Sequence, residues 1–275
     1  MRKSANLLKI KIEQVNIVES NPDKPLQPQA LALLHGFPFN RSMWREQIQF
    51  LEARGVSVLA PDLRGLGENR FAGPVATMDD MARDVKALMD ESLIKRAIVC
   101  GLSMGCYVAF EFIHLFRSSV DALILCGPRA VGPDDAERRS REEQARRALH
   151  EGMDFAVESI SSKLLAEQTV SQKPDVLERV RDMVLNTDPR GAAAAQRGMA
   201  MRRDYTGDLL TIDVPTLIIA GREDGVRTPE DGEFVRRGIR GSKLVLVDHA
   251  GHLMNMEQSE VFNRMLVDFL GTLVH

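Results

Sequence analysis

Apolar residues fall in short, nearly continuous runs along this chain: ALALLH at 30–35, VSVLA at 56–60, RAIVCG at 96–101, VDALILCG at 120–127, PTLIIAG at 215–221 and SKLVLVD at 242–248. Runs of this length, rich in Val, Ile and Leu and without polar alternation, mark strands covered on both faces. Between them the period lengthens. Trp44, Ile48 and Leu51 stand at i, i+4 and i+7 within 41–54, and Met78, Met81, Val85, Leu88 and Met89 share one face of 78–91, so both stretches read as helices. Strands alternating with helices predict the α/β class, with a mainly parallel central sheet and helices on both faces. The opening LLKIKIEQV alternates with period two from Leu8 to Ile12, which predicts an antiparallel edge hairpin.

The rhythm breaks once. From 129 to 208 no strand-like run occurs, and polar helical sequence such as DDAERRSREEQARRALHEGMDFAVESI and DVLERVRDMVL fills the interval. A structureless loop of that length is improbable in a compact domain. The pattern therefore predicts one core, residues 1–128 and 209–275, interrupted by a helical insertion at 129–208. No internal repeat is visible, and the only low-complexity stretch is AAAA at 192–195.

Composition narrows the function classes. The chain has 275 residues, 44% hydrophobic and 27% charged, with a formal net charge of -3. Phosphate binding needs clustered positive charge, so a nucleic-acid partner is not expected. The first residues lack a continuous apolar signal region, and nowhere do about 18 apolar residues run together. Neither a targeting segment nor a membrane partner is expected, and cytoplasm is the default location. Cys100, Cys106 and Cys126 are odd in number and have no disulfide-framework spacing, which reads as free, buried thiols in a reducing compartment.

One stretch asks for chemistry. VCGLSMGCYVAF at 99–110 sets Gly101 and Gly105 on either side of Ser103, between a strand-like run and an apolar helical one. Each glycine costs roughly 1 kcal/mol against alanine inside a helix, so their presence points to close backbone approach. A strand, G-x-S-x-G and a helix in this order form the context of a nucleophile elbow, where a tight turn lifts the serine hydroxyl off the sheet. The helix that follows aims its first N–H groups at charge growing beside the serine. Glycine-rich turns of this kind also occur for packing alone.

Four further stretches fall in a matching order, and with them the chain resembles the α/β-hydrolase family over about 31–270, specifically its small esterases, enol-lactonases and perhydrolases with a helical cap. HGFPFN at 35–40 is similar to the family's oxyanion loop, DLRGLGENR at 62–70 to the loop after the next strand, AGREDG at 220–225 to the acid loop, and DHAGHLMNMEQ at 248–258 to the histidine loop. A serine hydroxyl needs an imidazole to take its proton, the imidazole needs a carboxylate to hold its tautomer, and the tetrahedral oxyanion needs donors. The order Ser103, Asp224, His252 is the one this fold uses. The resemblance implies Ser103 as nucleophile, His252 as base and Asp224 as its orienting acid, with the backbone N–H groups of Phe37 and Met104 as the oxyanion hole and His35 supporting that loop. It implies no metal or organic cofactor, and the partner it implies is a small ester or lactone substrate.

Rivals exist for two of these positions. His249 stands three residues before His252, Glu223 stands next to the acid position, and Asp248 is a third candidate acid close to the histidine in sequence. The proline after Asp224 also comes slightly later than in the family's pattern. Substrate contacts are expected from Phe39 and from Arg129, the latter an anion partner just past its strand. Across 129–208, however, 14 Lys/Arg meet 15 Asp/Glu, so the insertion exerts no net pull on an anion. Cys106, Cys100 and Cys126 read as packed residues. Serine at the elbow argues against the carboxylate-nucleophile chemistry of epoxide hydrolases and haloalkane dehalogenases, while carbon–carbon bond hydrolysis, perhydrolysis and a receptor of the same fold share the pattern.

Overall fold

The computed structural model describes residues 30–71, 73–158 and 163–273; the period-two run at Leu8 to Ile12 lies outside them. Six strands, β1 (Ala30–Leu34), β2 (Ser57–Leu59), β3 (Ala97–Leu102), β4 (Val120–Cys126), β5 (Thr216–Gly221) and β6 (Lys243–Val247), form one sheet in the order β2-β1-β3-β4-β5-β6. All five pairings are parallel. The strands coincide with the six apolar runs.

Their lack of alternation has the expected cause. Ala32, Leu34, Val99, Leu123, Leu125 and Ile218 join the core with helices α2 (Met78–Glu91), α3 (Met104–Leu115) and α9 (Pro229–Gly238). Their sequence neighbours Leu31, Leu33, Ile98, Cys100, Ile124, Leu217 and Ile219 point the other way, toward α1 (Arg45–Glu52) and α11 (Ser259–Thr272). Successive side chains of a strand face opposite sides, so a sheet covered on both faces needs apolar residues at every position.

Two helix starts have a local cause in the side chain that precedes them. Thr77 and Asp80 form a reciprocal capping box at the head of α2, which covers the predicted span. The predicted helix at 41–54 divides into a 3-10 turn at Arg41–Trp44, capped by Asn40, and α1. Beyond β4 the described residues before β5 hold helices and no strand: α4 (Asp135–Glu151), α5 (Asp154–Val157), α6 (Glu167–Gln172), α7 (Pro174–Leu185) and α8 (Pro189–Met201), with α10 (Met254–Glu257) following β6. Among the described residues no helix is long and apolar enough to cross a membrane.

Helix α8 joins α4 to the sheet domain. Arg197 pairs with Glu142, and Arg202, just past α8, pairs with Glu137. On the opposite side α8 meets backbone directly: a Cβ at Gly191 would lie 1.6 Å from the Gly65 carbonyl oxygen, and one at Gly198 would lie 1.7 Å from that of Ala76. The Ala76 N–H donates to the Ala194 carbonyl at 3.0 Å within the same contact.

The chain runs from β1 outward to β2, then returns to place β3 on the other side of β1. At such a switch point the loops leaving the two strands diverge and open a crevice at the carboxyl ends. Here those loops carry His35–Phe39 and Ser103.

The α8 contact is testable by thermal unfolding. Gly191→Ala forces two backbones apart and should cost about 2 kcal/mol, lowering the melting temperature by roughly 4–8 °C. Gly207→Ala, where an added Cβ meets nothing within 4 Å, should leave it unchanged.

Candidate active site

Ser103 sits between β3 and α3 at φ 55°, ψ -109°, a left-handed conformation that costs a non-glycine residue about 1–3 kcal/mol. The flanking glycines explain how the turn closes. A Cβ at Gly101 would lie 2.3 Å from the Gly105 carbonyl oxygen, and one at Gly105 would lie 2.1 Å from the Leu34 carbonyl oxygen. Helix α3 therefore begins in backbone contact with both its own strand and β1. The Ser103 N–H donates to the Cys126 carbonyl at 2.9 Å, which ties the elbow to the end of β4.

Next to that tie lies the imidazole. Gly127, directly after Cys126, has a Cα against which an added Cβ would come 3.3 Å from His252 Cε1 and 3.4 Å from Asp224 Oδ2. His252 and Asp224 are both buried, at 2% and 5% exposure, and His252 Nδ1 meets Asp224 Oδ2 at 2.7 Å. The other oxygen, Oδ1, accepts the N–H groups of Val226 and Arg227, each at 2.8 Å. Those two donors aim Oδ2 at the ring. Because Asp224 accepts, Nδ1 carries the hydrogen and Nε2 keeps its lone pair. Among the described residues no hydrogen bond joins Ser103 Oγ to His252; such contacts often tighten only when substrate is bound.

The rivals take other partners. His249 is exposed and lies 3.9 Å from Glu223, while Asp248 is held by Arg222 at the surface. His114 is half exposed, 3.9 Å from Asp208.

The loop after β1 approaches the elbow from the opposite side. A Cβ at Gly36 would lie 3.2 Å from Leu102 Cδ2 and 3.3 Å from the Leu102 carbonyl oxygen, so Phe37 follows a residue that touches the serine's own neighbour. Among the described residues, neither the Phe37 N–H nor the Met104 N–H donates to a protein acceptor. His35 is fully buried beneath them. Its Nε2 accepts the Leu63 N–H at 2.9 Å and its Nδ1 donates to the Gly36 carbonyl at 2.9 Å. Burial pushes its pKa down to about 4, so the ring is neutral and acts as a brace between two loops.

The expected substrate contacts differ in exposure. Phe39 is 1% exposed and closes a turn onto the Gly36 carbonyl, so protein covers nearly all of its ring. Arg129 is half-buried, with its Nε buried and unpartnered among the described residues. The three cysteines are free and buried. Cys106 Sγ donates to the Gly101 and Cys126 carbonyls, and burial pushes its thiol far above the ordinary range. Among the described residues no group of three or more His, Cys, Asp or Glu side chains is disposed to hold a metal ion.

Sequence reasoning missed several supporting groups. Tyr107, one helical turn past Ser103, accepts a hydrogen bond at 2.7 Å from Arg227, whose own N–H holds Asp224. Arg202 stacks over the Tyr107 ring at 4.4 Å. Burial alone would raise the carboxyl of Glu137, but the Arg202 and Arg141 guanidiniums on it override this and hold it at about 2. Asp62 accepts the Arg41 and Glu68 N–H groups and fixes the loop after β2. No periodicity marks these residues, because most of their contacts join positions far apart along the chain.

The fold and this arrangement define an α/β hydrolase. The family model for the alpha/beta hydrolase fold matches residues 29–259, and the chain belongs to that family. It is 30% identical over 246 residues to the AB hydrolase superfamily protein YisY of Bacillus subtilis, covering 87% of this chain and 90% of that one. It is 26% identical to 3-oxoadipate enol-lactonase 2 of Acinetobacter baylyi over 85% of both. Among solved structures, a thermophilic esterase from Thermogutta terrifontis with malate bound superposes with a TM-score of 0.87 at 38% identity, covering 90% of this chain and 91% of that one.

The low pKa of His35 makes a prediction with a definite sign. Its unfolded pKa is near 6.5, so the stability it contributes is complete above that pH and is lost as pH falls through the window down to about 4. The total is on the order of 3 kcal/mol. Melting temperatures from pH 7 to 4 should fall less steeply in His35→Gln than in the parent protein.

Proposed function

We propose that this protein is a serine hydrolase that cleaves a small carboxylic ester or lactone through an acyl-enzyme. The observation that carries the reading is the buried His252–Asp224 pair at 2.7 Å, set beside a serine at φ 55°. Ser103 Oγ attacks the acyl carbon while His252 Nε2 takes its proton, and the carbonyl electrons move onto oxygen. The Phe37 and Met104 N–H groups stabilise that oxyanion, which a preorganised pair of donors does without reorganisation. Collapse expels the alcohol, to which His252 returns the proton. Water then attacks the acyl carbon by the same route, releasing the acid and restoring Ser103. Asp224 stays ionised throughout and stabilises the imidazolium.

In this reading residues 129–208 form the cap over a core made of 1–128 and 209–275, and the three buried thiols suit a cytoplasmic setting. Arg129 is the proposed partner for a distal carboxylate on the substrate. The enol-lactonase relative and the malate-bound esterase support an acyl substrate of modest size. The unpartnered Nε of Arg129 supports the anion contact.

A fluorophosphonate probe should label Ser103, and Ser103→Ala should abolish both labelling and hydrolysis of p-nitrophenyl acetate. Asp224→Asn should lower kcat by about 10³- to 10⁴-fold with an unchanged melting curve, because the wrong imidazole tautomer is then favoured. Full activity in Asp224→Asn would remove the acid from this reading. For Arg129→Ala, kcat/KM should drop by roughly 10- to 100-fold on an ester bearing a distal carboxylate and stay unchanged on a neutral acetyl ester. Equal losses on both would make Arg129 a structural residue.

A further inference from the structure

Glu257 is a carboxylate with no exposed surface and no role in the chemistry above. Its Oε1 accepts the N–H groups of Gly251 at 2.9 Å and Leu253 at 3.1 Å, the two residues flanking His252. Its Oε2 accepts the Ala166 N–H at 2.7 Å and the Thr169 hydroxyl at 2.9 Å, both from the stretch leading into and through α6. The His252 N–H itself donates to the Leu164 carbonyl at 2.7 Å. Three successive N–H groups of the histidine loop are thus fixed by one carboxylate and by one carbonyl of the insertion. Lys173, at the foot of α7, caps the Glu257 carbonyl.

All four partners of the carboxylate present hydrogens to it. The three backbone N–H groups have no other option, so the arrangement suits an acceptor-only, ionised side chain. Burial raises the pKa of this group, and the four donors pull against that rise. Glutamine, which is nearly isosteric, can serve only one pair of donors, because its amide NH₂ would face the other. Other charged groups around this loop are Asp224 on the imidazole, Lys173 on the Glu257 carbonyl, the exposed Glu223 and His249, and the surface pair of Asp248 and Arg222.

We infer that Glu257 is a positioning residue for His252: it sets the backbone of the base and couples that setting to the seating of residues 164–169. The inference rests on His252 being the base of the proposed hydrolysis. If residues 164–169 lift away, Oε2 loses its two partners and the Leu164 carbonyl leaves the His252 N–H, so the base loosens as the insertion opens.

The test uses Glu257→Gln and Thr169→Val in the full chain. In Glu257→Gln the His252 imidazole pKa, followed by NMR, should fall by about 0.5–1 unit as the buried negative charge is removed. Its kcat on p-nitrophenyl acetate should fall about 10- to 100-fold, and its rate of fluorophosphonate labelling should fall in parallel, while KM changes less than about threefold. Thr169→Val keeps the charge and removes one donor from the insertion side, so the imidazole pKa should hold while kcat falls by about two- to fivefold. A lowered melting temperature with unchanged imidazole pKa and kcat in Glu257→Gln would make Glu257 a fold residue only and overturn the inference. Should Glu257→Gln not fold, wild-type kcat and labelling rate in Thr169→Val overturn it. Parent protein that neither labels at Ser103 nor hydrolyses the ester would instead sink the proposed function, whereas the imidazole titration reads Glu257 without any substrate.

Discussion

Two peptide backbones touch at the mouth of the sheet, where the start of α3 rests on the Leu34 carbonyl with space for hydrogen but not for a methyl group at residue 105. That approach draws the β1 loop and the elbow together across the switch point, so the Phe37 and Met104 N–H groups emerge on the same edge of the sheet as Ser103. The strain at Ser103, φ 55°, persists because the structure on both sides is tightly packed. Every residue from Met104 to Ile113 is buried, and the Ser103 N–H is tied to β4. A close-packed interior resists relaxation that would otherwise release a strained turn.

Buried charge is the second constraint on this end of the molecule, and three of its carboxylates are handled by saturating them with donors. Asp224 uses two backbone donors to orient one oxygen toward His252. Glu257 accepts four hydrogens. Glu137 is wrapped by two arginines, one of which lies over Tyr107. An ionised carboxylate removed from water without such partners would cost several kcal/mol. His35 solves the same problem by remaining neutral, with one ring nitrogen accepting and the other donating.

The helices between β4 and β5 grip the site from two directions. On one, α8 lies on the loops after β2 through Gly191 and Gly198, contacts that leave no slack. On the other, residues 164–169 meet the histidine loop through hydrogen bonds. Hydrogen bonds to solvent can replace the second set if the segment moves, but nothing replaces backbone packing in the first.

The strands, their burial on both faces and the elbow were legible in the sequence, because each depends on local pattern: β-branched runs without alternation, and glycines at fixed spacing about Ser103. Asp224 and His252 were legible as residue types in loops after strands, yet Glu223, Asp248 and His249 fitted the local pattern nearly as well. Tertiary structure separated them, since Asp248 turns out to Arg222 and His249 to Glu223, while only the buried pair lies against Gly127. Phe39 is nearly covered by protein, a burial that depends on neighbours far along the chain. Tyr107, Arg227 and Glu257 had no signature for the same reason. The sequence by itself determined which segments are strands and helices and where a strained turn must fall, because those follow from side-chain period and steric freedom within a few residues. Only the tertiary structure decided which carboxylate meets His252, because that hydrogen bond joins atoms that chain order holds 28 residues apart.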